Sequence, residues 1–243
     1  MVHKNKIKVS IITVVYNGIS SIERTIRSVI NQSYKNIEFI IIDGKSTDGT
    51  IEVIKSYSKY INYWISETDK GVYDAMNKAL KHATGDFLIF INANDILYSN
   101  NVIENIVHKI TDTSAVYYGN AISINNQGNE FVYRGGRFDK YRLAKTNICH
   151  QTILYPKPIY KNYSYDTIYN LFADWNLNIR LFRKYKFTYL NLPIAQYDTN
   201  GISSSSNDLL FKKNQYSRVL KHLGIDCFVY IYIRKVLKSI CRK

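Results

Sequence analysis

The stretch Gly85-Asp86-Phe87-Leu88-Ile89-Phe90-Ile91-Asn92-Ala93-Asn94-Asp95 runs from five apolar residues straight into amides and a carboxylate. The apolar run reads as a strand buried on both faces, of the kind found inside a helix-covered sheet. Asp95 then falls just past the strand's carboxyl end, the edge where open α/β sheets bind ligands. A carboxylate with amide neighbours there suits a hard divalent cation bridging two phosphates, with Asp95 and Asn94 as candidate metal ligands. The plainer alternative is that Asn94 and Asp95 start the next helix, since both residue types are favoured caps.

The elements that position this stretch repeat. Lys8 to Val15 is a β-branched run ending at Tyr16-Asn17-Gly18, and Ser20 to Glu23 has capping-box spacing before a helix through Ile22, Ile26, Val29 and Ile30. Ile37 to Ile42 forms a second strand that halts at the polar loop Asp43-Gly44-Lys45-Ser46. A helix through Ile51, Ile54 and Tyr57 leads to a third strand, Ile61 to Ser66, and then to Glu67-Thr68-Asp69-Lys70-Gly71. The helix from Val72 to about His82 turns Tyr73, Met76, Leu80 and Ala83 inward and carries Asp74, Asn77 and Lys78 near the strand tips. The strand at Phe87 and a helix through Ile110 complete a βαβαβαβα alternation, which predicts a mostly parallel, Rossmann-like central sheet with helices on both faces.

After residue 110 the pattern changes. Ala115 to Tyr118, Ala121 to Ile124 and Phe131 to Tyr133 suggest short antiparallel strands with a hairpin at Asn125 to Gly128. Residues 134–150 read as a basic loop, Thr152 to Tyr155 as a strand, Ala173-Asp174-Trp175 as the start of a helix, and Phe187 to Leu192 as an edge strand. The serines at 203–206 mark a mobile loop. The expected organisation is a Rossmann-like half at 1–110, a mixed half of the same domain at 111–206, and a basic helical tail at 207–243.

At 243 residues and 46% hydrophobic content, the chain can build a sizeable core. The N-terminal Lys4, Lys6 and Lys8 run into a β-like segment without a signal peptide's apolar centre, so the expected location is the cytoplasm. Cys149, Cys227 and Cys241 are odd in number and lack metal-ligand spacing, which points to reduced thiols. The net charge is +14, and residues 207–243 hold nine Lys and Arg against two Asp. In that tail Val229, Ile233, Val236, Leu237 and Ile240 share one helical face, with Arg234, Lys238 and Arg242 at intervals of four. A basic amphipathic helix suits an anionic membrane surface; the alternative is a helix packed on the domain with its charges in water.

Four segments, Val9 to Asn17, Ile42 to Thr50, Glu67 to Lys78 and Ala83 to Asp95, together resemble the family 2 glycosyltransferases of the GT-A fold, in order and in spacing. His150-Gln151 and Ala173-Asp174-Trp175 resemble that family's acceptor-side elements. The resemblance implies inverting transfer of a sugar from a nucleotide diphosphate donor to an acceptor hydroxyl, with Mg²⁺ or Mn²⁺. It implies nucleotide-sugar binding for the half at 1–110, and acceptor binding and catalysis for the half at 111–206. The setting it implies is bacterial surface polysaccharide or polyprenyl-linked oligosaccharide synthesis. By position, Tyr16 would lie against the base, Asp43 in the base and ribose pocket, and Asp69 and Lys70 near the nucleotide. Asp95 would bind the metal and Asp174 would be the general base.

The chemistry asks for the same types. A departing nucleoside diphosphate needs cationic charge, and an acceptor hydroxyl needs a carboxylate to take its proton. His150 is a candidate for phosphate or metal, Asn77 for substrate, and Trp175 for stacking on a sugar ring. Structural alternatives stand beside each: Asp174 as a helix cap, Lys70 as a solvated charge, Asp69 and Asn77 as fixtures of the loop and helix start, and His150 as a satisfied imidazole. Two positions depart from the family pattern. Asn94 replaces an acid beside Asp95, which weakens metal dependence and raises the alternative of a degenerate, non-catalytic nucleotide- or glycan-binding protein. Gly44 follows Asp43 where relatives have a second acid, which loosens base selection; a UDP-sugar is the expected donor.

Two other classes fit poorly. A sugar nucleotidyltransferase wants a Gly-rich basic loop after the first strand, which Tyr16-Asn17-Gly18 does not supply. A nucleic-acid binder wants basic residues interleaved with exposed aromatics, whereas the charge here gathers at the C-terminus.

Overall fold

The computed structural model describes residues 7–124, 129–197 and 208–240, with side chains through 237. The hairpin turn at 125–128, the serine run, Cys241 and Arg242 lie outside the described residues, as do the side chains of Lys238 and Ile240.

The strands are β1 (Val9–Val15), β2 (Ile37–Asp43), β3 (Tyr63–Ser66), β4 (Phe87–Phe90), β5 (Ile96–Leu97), β6 (Val116–Ile124), β7 (Glu130–Arg134), β8 (Ile153–Pro156) and β9 (Phe187–Gln196). The helices are α1 (Ile22–Ile30), α2 (Thr50–Ser56), α3 (Val72–His82), α4 (Val102–Lys109), α5 (Lys140–Leu143), α6 (Lys157–Asn162), α7 (Ala173–Leu181), α8 (Leu209–Leu223) and α9 (Ile225–Ile240). One sheet runs β3-β2-β1-β4-β8-β6-β9-β5, with β7 added beside β6. The first four strands are mutually parallel, as their crossover helices require, and β8 joins β4 antiparallel.

Alternation along the buried strands feeds two cores. Ile12, Val14, Ile40, Ile42, Leu88 and Phe90 face α3, α6, α7 and α8, while Ile11, Val15, Phe39, Ile41 and Ile89 face α1, α2 and α4. Burial on both faces is why these strands read as continuous apolar runs.

Four local expectations are corrected. The capping box fails because α1 begins one residue late, with Ser21 at the cap and no side-chain cap bond. Ala115 to Tyr118 and Ala121 to Ile124 are one strand, β6, broken in register rather than by a turn. The basic loop contains the short helix α5, capped by Asp139 accepting from the Arg142 backbone N–H at 2.7 Å. Phe187 to Leu192 is no edge strand: it extends to Gln196 and lies between β6 and β5.

At the C-terminus, Gly224 at φ 107° turns the chain from α8 into α9. Cys227 and Ile231 are buried against the domain, while Ile225, Val229, Tyr232, Ile233 and Leu237 stand between 43% and 63% exposed. The apolar stripe of α9 therefore points away from the core. Among the described residues no helix is long and apolar enough to cross a membrane.

Candidate active site at the carboxyl edge of the sheet

The loop after β4 is pinned from below: Thr13 Oγ1 donates to the Ile91 carbonyl at 2.7 Å, the Ala93 N–H to Val14 at 3.3 Å, and Thr25 Oγ1 to the Asp95 carbonyl at 2.8 Å. Asn94 is exposed and sits at φ 88°, a conformation Asn tolerates better than most residues. Asp95 is 4% exposed. Because β8 pairs antiparallel with β4, the residues just before β8 arrive at this same edge. Gln151 Nε2 donates to Asp95 Oδ2 at 2.6 Å, and Cys149 Sγ lies 2.9 Å from Gln151 Oε1, which fixes the amide's orientation. Burial, reinforced by the Asp95 carboxylate, pushes the Cys149 thiol well up, so it stays protonated and inert.

Asp174 lies in the first turn of α7, 5% exposed, and caps nothing: the cap position is Phe172. Asp174 Oδ1 accepts from the Tyr73 hydroxyl at 2.9 Å, and Oδ2 from Asn147 Nδ2 at 2.7 Å. Burial first, then the Asp174 charge, raises the Tyr73 phenol well above its ordinary value, so it stays a donor. Asn147 is held in turn by Asn178 Nδ2 at 2.9 Å, and Asn178 by the Tyr155 hydroxyl at 2.7 Å. This shell aims a carboxylate at a helix N-terminus, where the macrodipole favours negative charge.

His150 joins the two corners. Its Nε2 is 3.0 Å from Asn92 Nδ2, and its Nδ1 is 3.5 Å from Asp174 Oδ2. An amide nitrogen can only donate, so Nε2 accepts and the proton sits on Nδ1, facing Asp174. Asn92 Oδ1, on the other arm of that amide, is buried without a hydrogen-bond partner.

Other predicted residues meet at the ends of β1 and β2. The Tyr16 ring is 67% exposed at the end of β1, and a Cβ built on Gly44 would meet Asp69 Oδ2 at 2.6 Å and Tyr16 at 3.3 Å. Gly44 thus lets Tyr16 and Asp69 close on one point. Asp43 is fully buried; Ser46 donates to it by backbone at 3.0 Å and hydroxyl at 2.5 Å, and Ser66 Oγ at 2.6 Å, so it fixes the loop that shapes this wall. Lys70 is exposed on the following turn.

Two candidates are engaged elsewhere. Asn77 spends its amide on Tyr165, donating to its carbonyl at 2.9 Å and accepting from its N–H at 2.8 Å. Trp175 donates to the Leu143 carbonyl at 2.7 Å, and its ring packs 4.9 Å from Phe211. Sequence reasoning passed over Tyr73, Asn92, Asn147 and Gln151 as site residues. Asn92 and Gln151 flank the singled-out Asn94 and His150, which was the available signal; Asn147 had none. Among the described residues no group of three or more His, Cys, Asp and Glu forms a metal cage. One buried carboxylate, Asp95, and the unpaired amide oxygen of Asn92 nevertheless fit a hard cation completed by diphosphate oxygens.

A parallel β3-β2-β1-β4 array with an exposed aromatic and a buried acid at its carboxyl edge is a doubly wound α/β architecture with its ligand edge at those residues. The glycosyl transferase family 2 model matches residues 10–211, and the chain belongs to that family of glycosyltransferases. It is 31% identical to a PGL/p-HBAD biosynthesis glycosyltransferase of Mycobacterium bovis, over 96% of this chain and 92% of that one. Its fold resembles that of Staphylococcus aureus TarS 1-349 in complex with UDP-GlcNAc: TM-score 0.70, 17% identity, covering 88% of this chain and 67% of the other. It also resembles the mannosyltransferase PcManGT of Pyrobaculum calidifontis in complex with GDP-Man and Mn²⁺: TM-score 0.64, 16% identity, covering 89% and 62%.

Proposed function

We propose that this enzyme transfers a sugar from a UDP-sugar to an acceptor hydroxyl, with inversion, in bacterial surface polysaccharide or polyprenyl-linked oligosaccharide synthesis. The observation that carries the reading is Asp174: a buried carboxylate accepting from Tyr73 and Asn147 and joined through His150 to the Asp95 corner. Asp174 takes the acceptor's proton as its oxygen attacks the anomeric carbon from the side opposite the diphosphate. A single displacement needs one carboxylate and no covalent intermediate. The His150 Nδ1–H steadies that carboxylate, and the Asn147 amide keeps its second oxygen oriented.

The base lies against Tyr16, with Asp69 and the Asp43-supported loop as the pocket wall, and Lys70 meets the phosphates. Asp95, with Asn92 or Asn94, would hold Mn²⁺ or Mg²⁺, which neutralises leaving diphosphate charge when bound. The TarS neighbour's UDP-GlcNAc complex supports uridine as the first donor to test.

We also propose that the protein sits peripherally on the inner face of the cytoplasmic membrane, with α9 on anionic lipid. The exposed Ile225, Val229, Tyr232, Ile233 and Leu237, with Arg234 and Lys235 on the same helix, support this. Deleting residues 227–243 should abolish sedimentation with anionic liposomes; unchanged sedimentation would refute it.

The test of the donor site is calorimetric titration with UDP, GDP, CMP and dTDP, with and without Mn²⁺, on wild type and Asp95→Ala. Metal-dependent UDP binding lost in the variant is expected. Asn92 and Asn94 at the donor loop favour one second reading, a nucleotide or glycan binder without turnover. Binding of UDP-sugar with no UDP release in the presence of membrane acceptor would select it.

A further inference from the structure

At the far end of α7 from Asp174 lies a cavity of about 650 Å³, lined by the loop 163–167, Arg180 in α7's last turn, Lys184 just past it, and Arg218, Lys221 and His222 of α8. Arg180 lies six positions beyond Asp174, about 9 Å along the helix axis, so the cavity's cationic end is set apart from the proposed catalytic corner.

Its charge is lopsided. Four permanent cations face one carboxylate, Asp166, which lies 3.7 Å from Arg218. Arg180 and Lys184 lie 5.6 and 5.7 Å from the centre of the Tyr163 ring, which holds both on one side. His222 Nε2 is buried without a hydrogen-bond partner. Burial, and then Lys221, Arg218, Arg180 and Lys184, lower its pKa.

A purely structural account is that these cations offset two helix C-termini. Each terminus carries about half a negative charge, so both together with Asp166 offset only about two of the four cations. That leaves roughly two positive charges at the cavity, with the His222 ring in its lining. We propose that this cavity is a binding site for a phosphate or diphosphate group, with Arg180, Lys184, Arg218 and Lys221 meeting its charge beside the His222 ring. The cavity is far larger than one phosphate, which leaves room for the group it is attached to. The group could belong to a lipid, since Lys221 and His222 lead directly into α9 and its exposed stripe, or to a soluble phosphate ester.

The test uses the full chain at physiological ionic strength, titrated with inorganic pyrophosphate and followed at the His222 ring by nitrogen-edited NMR. Reading the signal at His222 keeps it independent of the donor site, so failure of the nucleotide-binding reading would not alter it. A saturable His222 shift with a raised pKa is expected, weakened at least about tenfold in Lys184→Gln/Lys221→Gln, whose altered side chains are solvent-exposed and leave the fold intact. Phosphatidylcholine vesicles with and without phosphatidic acid form the second arm. Loss of the phosphatidic-acid-dependent binding in the double variant identifies a lipid phosphate. Loss of pyrophosphate binding alone identifies a soluble ester. No saturable shift, or the same affinity in wild type and variant, overturns the proposal.

Discussion

Replacing Asp174 by Asn is the sharpest test of the proposed chemistry, because the surrounding hydrogen bonds predict that the fold will accept it. In Asp174→Asn the substituted side chain's amide oxygen can take the Asn147 amide now 2.7 Å from Asp174. Its NH₂ donates to the Tyr73 oxygen, whose own proton can turn fully to the Leu171 carbonyl 2.5 Å away. No donor is stranded, so the stability loss should stay near the difference between a charged and a neutral hydrogen bond, about 1 kcal/mol. Proton acceptance, by contrast, is gone. Loss of a general base lowers kcat by about 10² to 10⁴, or about 3 to 5 kcal/mol in barrier. Nucleotide affinity should not move, since the donor-loop carboxylate Asp95 is oriented by Gln151, not by Asp174. The assay is UDP release with a membrane fraction as acceptor, alongside urea unfolding and calorimetric UDP binding. A variant with intact nucleotide binding and kcat within about threefold of wild type, under about 0.7 kcal/mol, would refute Asp174 as the base.

Three further outcomes are expected. Gln151→Leu, which removes the donor to Asp95, should weaken metal-dependent UDP binding about tenfold while leaving metal-free binding unchanged by calorimetry. Asn94→Asp should lower the half-saturating Mn²⁺ concentration about threefold in the same titration, because an acid tolerates φ 88° and adds charge beside Asp95. Burial pushes the Glu38 carboxyl up, but Lys8, Ser10 and Thr84 donate to it and hold its pKa down at about 2 against an ordinary 4.5. That difference is worth about 3 kcal/mol, present in full above pH 4.5 and lost as the pH falls toward 2, so Glu38→Gln should flatten the acid side of a urea-unfolding pH series.

The first half was legible because its signals are local. Continuous apolar strands, one-sided helices and polar loops at strand ends set β1 to β4, and α3 has the bounds its periodicity predicts, Val72–His82, with Tyr73, Met76, Leu80 and Ala83 all buried. The second half misled where a residue serves a neighbour distant in sequence. Gly119-Asn120 reads as a turn, yet a Cβ on Gly119 would lie 2.5 Å from the Leu192 carbonyl, so that glycine exists to let β9 approach. Pro193 reads as a strand end, yet it pairs with Asn120 at the register break, where a missing N–H is tolerated. Once β9 is seen to pass that point, it reaches β5, a two-residue strand too short to read, and ceases to be an edge.

The same reasoning bears on how a donor loop with two amides can handle a diphosphate. Arg24 gives a hydrogen bond to the Asn94 carbonyl at 2.8 Å and thereby holds the loop's unusual backbone. His150 Nε2 meets the Asn92 amide and its Nδ1 faces Asp174 at 3.5 Å, so the ring is turned to the two side chains rather than to a ligand. Among the loop's own residues the charge that faces inward is the Asp95 carboxylate, so an anionic leaving group beside it would need cationic compensation from outside the loop. Under the proposed function Lys70 would supply one charge from its exposed turn, and a divalent cation held by Asp95 and the orphaned Asn92 oxygen would supply two at the buried end. On that proposal, charge balance would tie nucleotide affinity to the cation more closely than a count of this chain's carboxylates suggests.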